Sequence, residues 1–250
     1  MAQFPDSRRS DIPRFDSTRW SIVLAAGVRS SPDAAVALEQ LCESYWFPLY
    51  AFVRREGYQQ AEAQDLTQGF FAALLQRDDL RNVQPDKGRF RSFLLAALKH
   101  FLINEWDRVR AQKRGGGQTV LSLDFDLAES KFGTQPGELT TPEFVFQRQW
   151  ALTLLANVQE QLKSDMSANG RGDLYDALQP HLVGESGAEK YTELADHFGM
   201  TEAAVKMAMS RLRKRYRALL REAIAQTVSA EEEIDDEIRD LFDALRRPES

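Results

Sequence analysis

The chain has 250 residues, 43% of them hydrophobic, enough for two small buried cores, and its single cysteine, Cys42, excludes an intramolecular disulfide. A net charge of −6 argues against nucleic acid as a partner, but the charge is segregated: residues 87–114 carry eight Lys and Arg against Glu105 and Asp107, and residues 225–250 carry nine Asp and Glu against Arg239, Arg246 and Arg247. The N-terminus lacks the apolar run of a signal peptide and no stretch reaches membrane-spanning length, so a soluble, cytoplasmic protein is expected.

Helical spacing dominates over alternation. The expected fold class is all-α: two small helical domains joined by a polar linker, the second a helix-turn-helix, with an acidic amphipathic helix at the C-terminus. The boundaries are a flexible leader at 1–16, a first domain at 17–117, a linker at 118–141, a second domain at 142–225 and the acidic helix at 226–250.

A helix starting after Ser17 would align Trp20, Val23, Leu24 and Val28. Ser31-Pro32 opens a longer one, Pro being favoured at a first helical position. Its apolar series Leu38, Leu41, Tyr45, Leu49 and Phe52 runs to Gly57, with Pro48 a kink site. Cys42 sits among these residues as a buried thiol. A third helix, about Gln60 to Gln76, carries the stripe Leu66, Phe70 and Leu74, with Ala63 beside it and Thr67 at its boundary. Residues 79–88 form a loop around Pro85.

The helix from Arg89 to about Lys113 is basic and aromatic together. Phe93, Leu94, Ala97, Phe101, Ile103 and Trp106 give it a broad apolar surface, surrounded by Arg89, Arg91, Lys99, Arg108, Arg110, Lys113 and Arg114. Cations interleaved with Phe90, His100, Phe101 and Trp106 suit a surface that tracks phosphates and stacks on exposed bases. One or two of these aromatics are assigned to stacking and the rest to the core. The glycine run after Arg114 lacks the Lys-Ser/Thr of a phosphate-binding loop and terminates the domain.

Thr141-Pro142-Glu143 starts a helix with Phe146, Trp150, Leu154 and Val158 on one face, broken at Asn169-Gly-Arg-Gly172. A shorter helix covers Leu174 to Leu182. Next come two helices around Gly199. Tyr191, Leu194 and Phe198 line the first; Thr201 is a good N-cap for the second. Val205, Met209, Leu212, Tyr216 and Leu219 form the core stripe of the second. Its other faces hold Lys206, Arg211, Arg213, Lys214, Arg215, Arg217 and Arg221, with no acid between 206 and 221. Seven uncompensated cations call for a polyanion, and a basic second helix after a Gly turn is the reading helix of a DNA-binding helix-turn-helix. At the end, Ser229-Ala-Glu-Glu232 is a capping box before the stripe Ile234, Ile238, Leu241, Phe242 and Leu245. This acidic helix either packs on its own domain or mimics DNA and covers a basic helix.

Four stretches resemble bacterial RNA polymerase sigma factors of the extracytoplasmic-function (ECF) group, over roughly residues 17–225. They are LCESYWFPLYAFVRREG (41–57), EAQDLTQGFF (62–71), GRFRSFLLAALKHFLINEWDRVRAQKR (88–114) and YTELADHFGMTEAAVKMAMSRLRKRYRALL (191–220), in the family's order. The resemblance implies a dissociable polymerase subunit with no catalysis and no cofactor or metal. Core polymerase, through its β′ and β subunits, and promoter DNA would be its partners, with no membrane insertion. It places polymerase binding at Glu62, Asp65 and Gln68 on the 60–76 helix. It places minus-ten reading on the 88–114 region without carrying over single residues; Lys99, Arg108, Arg110, Lys113 and Arg114 are the DNA-binding candidates there. Minus-thirty-five reading falls to Thr201, Lys206, Ser210, Arg211, Arg213 and Lys214. Met207 and Ala208 depart from the polar residues common in that reader.

The polymerase-facing segment departs as well, with Gln64 and Gly69 where acids are common and Thr67 where an aliphatic is usual. Some sigma factors lacking these acids are thought to be activated by a Ser/Thr protein kinase, and the resemblance extends to them. Phosphorylation at Thr67 would add about −1.5 to −2 charge to this face. Two other classes remain open: a helix-turn-helix regulator that binds duplex DNA without polymerase, and an enzyme acting on nucleic acid. The three histidines, His100, His181 and His197, show no metal-ligand spacing, which disfavours the enzyme.

Overall fold

The computed structural model describes residues 32–76, 89–111, 141–182, 188–225, 227–228 and 230–246, with the backbone alone at 32–43, 75–76, 107–111 and 188–190. Eight α-helices occur among these residues and no strand, so the all-α expectation holds. They are α1 (Pro32–Arg55), α2 (Gln60–Gln76), α3 (Phe90–Ala111), α4 (Pro142–Ala168), α5 (Gly172–Leu178), α6 (Ala188–Phe198), α7 (Glu202–Ala225) and α8 (Ile234–Leu245). The expected helix after Ser17, the 79–88 loop, most of the linker and the Ser229 cap lie outside the described residues, and Cys42 falls where only the backbone is described.

Helix α1 passes through Pro48 without interruption and ends at Gly57, whose φ of 101° only glycine adopts without strain. From Ser44 to Val53 nearly every side chain is buried, including Tyr45, Phe47, Leu49, Tyr50 and Phe52. A helix apolar on all sides must be covered on all sides. Here α2 covers one flank and α4 the other.

Helix α4 is the scaffold of the molecule, packing against α1, α5, α7 and α8. Thr141 caps it by accepting the Phe144 amide at 3.2 Å, and Pro142 occupies its first turn. Its expected face of Phe146, Trp150, Leu154 and Val158 is buried, together with Gln149 and Leu162. One apolar cluster runs without a break from Tyr45 to Ala244, so the two helical halves share a core in this conformation.

Helix α2 corrects one expectation. Thr67 is not at the boundary of the stripe but at its centre, 0% exposed, with Ala63, Phe70, Phe71 and Leu74 buried around it and Leu66 only partly buried. Ala63, Thr67, Phe70 and Leu74 stand at i, i+4, i+7 and i+11, which is a complete helical stripe in its own right. The hydroxyl can be buried there because it donates to the Ala63 carbonyl O at 2.7 Å.

Helix α8 corrects another. Its buried face is Ile234, Glu237, Leu241 and Ala244, whereas Phe242, expected in the stripe, is exposed. Glu237 lies three residues after Ile234 and four before Leu241, so helical geometry puts it inward whatever its charge.

Candidate nucleic-acid interface

Helices α6 and α7 form a helix-turn-helix. The turn is closed by Gly199 at φ 61°, with the Met200 amide reaching back to the Ala195 carbonyl at 2.8 Å. Thr201 caps α7, its Oγ1 accepting the Ala204 amide at 3.2 Å. Val205, Met209, Leu212 and Leu219 are buried as their spacing requires, which turns Lys206, Ser210, Arg211 and Lys214 outward.

The seven cations of α7 are less bare than the local sequence suggests. Lys206 pairs with Glu202 at 2.5 Å, one turn back, and its ammonium lies 5.8 Å from the Tyr191 ring centroid. Arg215 meets Asp165 of α4 at 2.8 Å, and Arg221 meets Asp235 of α8. Arg213 is half-buried and donates to the His181 carbonyl O at 2.9 Å, so it braces the domain. Among the described residues no acid is paired with Arg211, Lys214 or Arg217, which leaves these three to draw a polyanion.

Beside this face a groove of about 720 Å³ runs between α4, α5 and α7. Leu162, Met166, Leu174 and Ala208 supply its apolar walls, and Met207 stands at its edge, 54% exposed. The two apolar departures in the reading helix thus belong to one apolar surface.

Helix α3 presents the second surface. Phe90, Leu94, Leu95, Leu98 and Leu102 are buried, and Phe93, Ala97 and Phe101 pack partly on the core. Phe90 meets Tyr45 edge-on at 5.4 Å, and Phe101 meets Phe70 at 5.8 Å. Of the aromatics considered for base stacking, His100 and Trp106 are left outside, Trp106 56% exposed next to Ile103 at 58%. Arg108 and Arg110 continue the same helix with only their backbone described, and Lys113 and Arg114 lie outside the described residues.

Three cations of this region, Lys99, Arg91 and Arg89, are already occupied. Lys99 pairs with Glu143 at 2.5 Å, and that hydrogen bond holds the Glu143 carboxyl below its ordinary value. Arg91, 4% exposed, donates from Nε and Nη2 to the two oxygens of Glu237 at 2.7 Å each, and Glu237 is 0% exposed. Arg89 Nε reaches the same carboxylate at 2.8 Å, and its Nη1 meets Asp240. Burial opposes the Arg89 charge, but Asp240 and Glu237 outweigh it, so its pKa is raised. Sequence reading missed Glu237; its position between Ile234 and Leu241 was the signal.

On α2, Glu62 and Asp65 are exposed and Gln68 is half-buried. The three sequence-assigned docking residues therefore lie along the side away from Ala63 and Phe70, with both carboxylates in solvent. Among the described residues no helix is long and apolar enough to cross a membrane.

No curated protein and no solved structure matches the chain. The model of the family described as ECF sigma factor matches residues 31–229, which takes in α1 through α7 and stops short of α8. With four-fifths of its length matched, covering both basic helices and the carboxylate face of α2, the chain belongs to the ECF sigma factor family.

Proposed function

We propose that this sigma factor docks on the β′ and β subunits of core polymerase through Glu62, Asp65 and Gln68 of α2, and reads a promoter with two separate surfaces. As an ECF sigma factor it is a non-enzymatic initiation factor that binds RNA polymerase and confers promoter recognition. The surface on α3 would take the displaced strand, stacking a base on Trp106 while Arg108, Arg110, Lys113 and Arg114 follow phosphates. The surface on α7 would enter the major groove with Ser210, Arg211, Lys214 and Lys206, Thr201 standing at its entry. Arg213 holds the fold behind them. The observation that carries this reading is the outward placement of Arg211 and Lys214 on the second helix of a helix-turn-helix. Run-off transcription on genomic fragments tests it: products that appear only when the chain is added to core polymerase support it. DNA binding with no association with polymerase would favour the regulator instead.

Phosphorylation of Thr67 by a kinase is not carried into this reading. Its hydroxyl is buried and engaged, so a kinase would have to act on a chain whose α2 has left the core. The docking charges supported by the geometry are Glu62 and Asp65.

Two measurements probe these surfaces. Lys214→Glu should weaken duplex binding several-fold and flatten its salt dependence by about one unit of slope, without unfolding, because the side chain lies off the core stripe. Equal affinity and slope in the variant would take α7 out of the DNA interface. Glu62→Lys with Asp65→Lys should lower affinity for core polymerase by about tenfold or more, because opposed charges set both encounter and register. Undiminished co-sedimentation with polymerase would move the docking face elsewhere.

A further inference from the structure

The ion cluster at the foot of α3 has no part in the proposed docking or reading. Glu237 accepts two parallel bonds from Arg91, the fork geometry with which guanidinium groups also hold phosphate, and ion-pairs with Arg89 Nε at 2.8 Å. Arg91 is further fixed to α4, donating to Gln147 and lying 4.5 Å from the centroid of the Trp150 ring. Asp240 adds a carboxylate to both arginines. Acids of α8 thus meet these arginines in a geometry that phosphate could also take. The same helix ties itself to α7 through Asp235 and Arg221, and to α4 through its terminal Leu245 carbonyl, which accepts from Arg148 at 3.0 Å. This helix lies beyond residue 229, where the family match ends, so the clamp is an addition to the shared part of the chain.

Geometry gives the clamp a consequence, resting on the sigma-factor reading above. Lys99 of α3 is joined to Glu143 in the first turn of α4, and Arg215 of α7 to Asp165 near its end. Both reading helices are therefore fastened to one helix of 27 residues, about 40 Å long. Promoter elements centred about ten and thirty-five base pairs upstream lie roughly 85 Å apart, at about 3.4 Å per pair. The arrangement seen here cannot reach both.

We infer that α8 is a DNA-mimicking clamp acting within the chain: Glu237 and Asp240 occupy Arg89 and Arg91 in place of phosphate and hold the two reading helices on α4 until polymerase and promoter displace it. The free protein is closed, and the clamp lowers its affinity for DNA outside the polymerase complex.

The test uses full-length chains: wild type, Glu237→Gln and Asp240→Lys. Glu237→Gln keeps the shape and removes the charge. Asp240→Lys places a cation beside both arginines at a side chain 46% exposed, so it buries no new charge. Affinity is measured for a dT strand of about 30 nucleotides, long enough to track a basic surface. Spin labels at Ser92→Cys and Ala203→Cys, in a Cys42→Ala background, report the separation of α3 and α7. Both variants should bind the strand more tightly, Glu237→Gln by about tenfold and Asp240→Lys by about threefold, with a longer label separation. Affinity that is unchanged or lowered in a variant with native helical content overturns the proposal, whatever the labels show. If Glu237→Gln fails to fold, Asp240→Lys decides alone. Co-sedimentation with core polymerase is scored separately: tighter strand binding with no polymerase association would leave the clamp standing and remove the sigma-factor reading of its purpose.

Discussion

Thr67→Glu is expected to destabilise the chain by about 4 kcal/mol or more, and to lower polymerase binding rather than raise it. Thr67 is fully enclosed by α2 and its neighbours, with Ala63, Phe70, Phe71 and Leu74 buried around it. Its hydroxyl is engaged by the Ala63 carbonyl O, and among the described residues no cation is hydrogen-bonded to it. A carboxylate there would lose its water and gain no counter-charge, and a phosphate, bulkier and doubly charged, would fare worse. Thr67→Val separates burial from hydroxyl chemistry. The Ala63 carbonyl also faces the Thr67 amide in the helix, so removing the hydroxyl leaves no buried group unsatisfied, and the change should stay within about 1 kcal/mol. Urea unfolding of both variants measures this. A Thr67→Glu chain with the wild-type midpoint and stronger polymerase binding would reinstate the charge switch.

Residue 67 also shows where sequence reading stops. The bounds of α2 and the buried face of α4 were legible, because apolar period and caps are local: Pro142 behind Thr141, Gly199 before Thr201, Val205 to Leu219 along α7. Which face of α2 turns inward depends on what covers it. With α1 and α3 packed beside it, the small pair Ala63 and Thr67 gives the closer fit, and Leu66 moves to the edge. Two charges of α7 look uncompensated in sequence because their partners are distant: Asp165 lies 50 residues before Arg215, and Asp235 lies 14 after Arg221. The bond from Arg213 to the His181 carbonyl O leaves no mark in the sequence, where Arg213 reads as one more cation of the reading helix. What the local sequence did fix is the outward side of α7 at Ser210, Arg211 and Lys214, since four residues of strict core stripe leave them nowhere else to point.

The acidic helix packs on α4 and α7, and its Glu237 also meets Arg89 and Arg91 at the start of α3. A loss of similar size is expected there. Glu237→Ala should cost about 3–5 kcal/mol, because it leaves Arg91 charged, almost wholly buried and stripped of its bidentate partner. The double replacement Arg91→Met with Glu237→Leu should cost far less, within about 1 kcal/mol of wild type, since two desolvated charges leave together and methionine can lie on the Trp150 ring. Urea unfolding of the two singles and the double gives the coupling energy of the pair. Additive losses in that cycle would mean that the two groups do not sense each other, and the cluster would have to be redrawn around Arg89 and Asp240. Strong coupling has a further consequence for the clamp. Its charges would then contribute little net stability over an apolar pair, while making α8 sensitive to any competing anion that reaches Arg89 and Arg91. An apolar seam of similar strength would hold α8 in place whether or not DNA was present. A carboxylate seam can be displaced by phosphate, and that exchange is what would let promoter DNA open the chain.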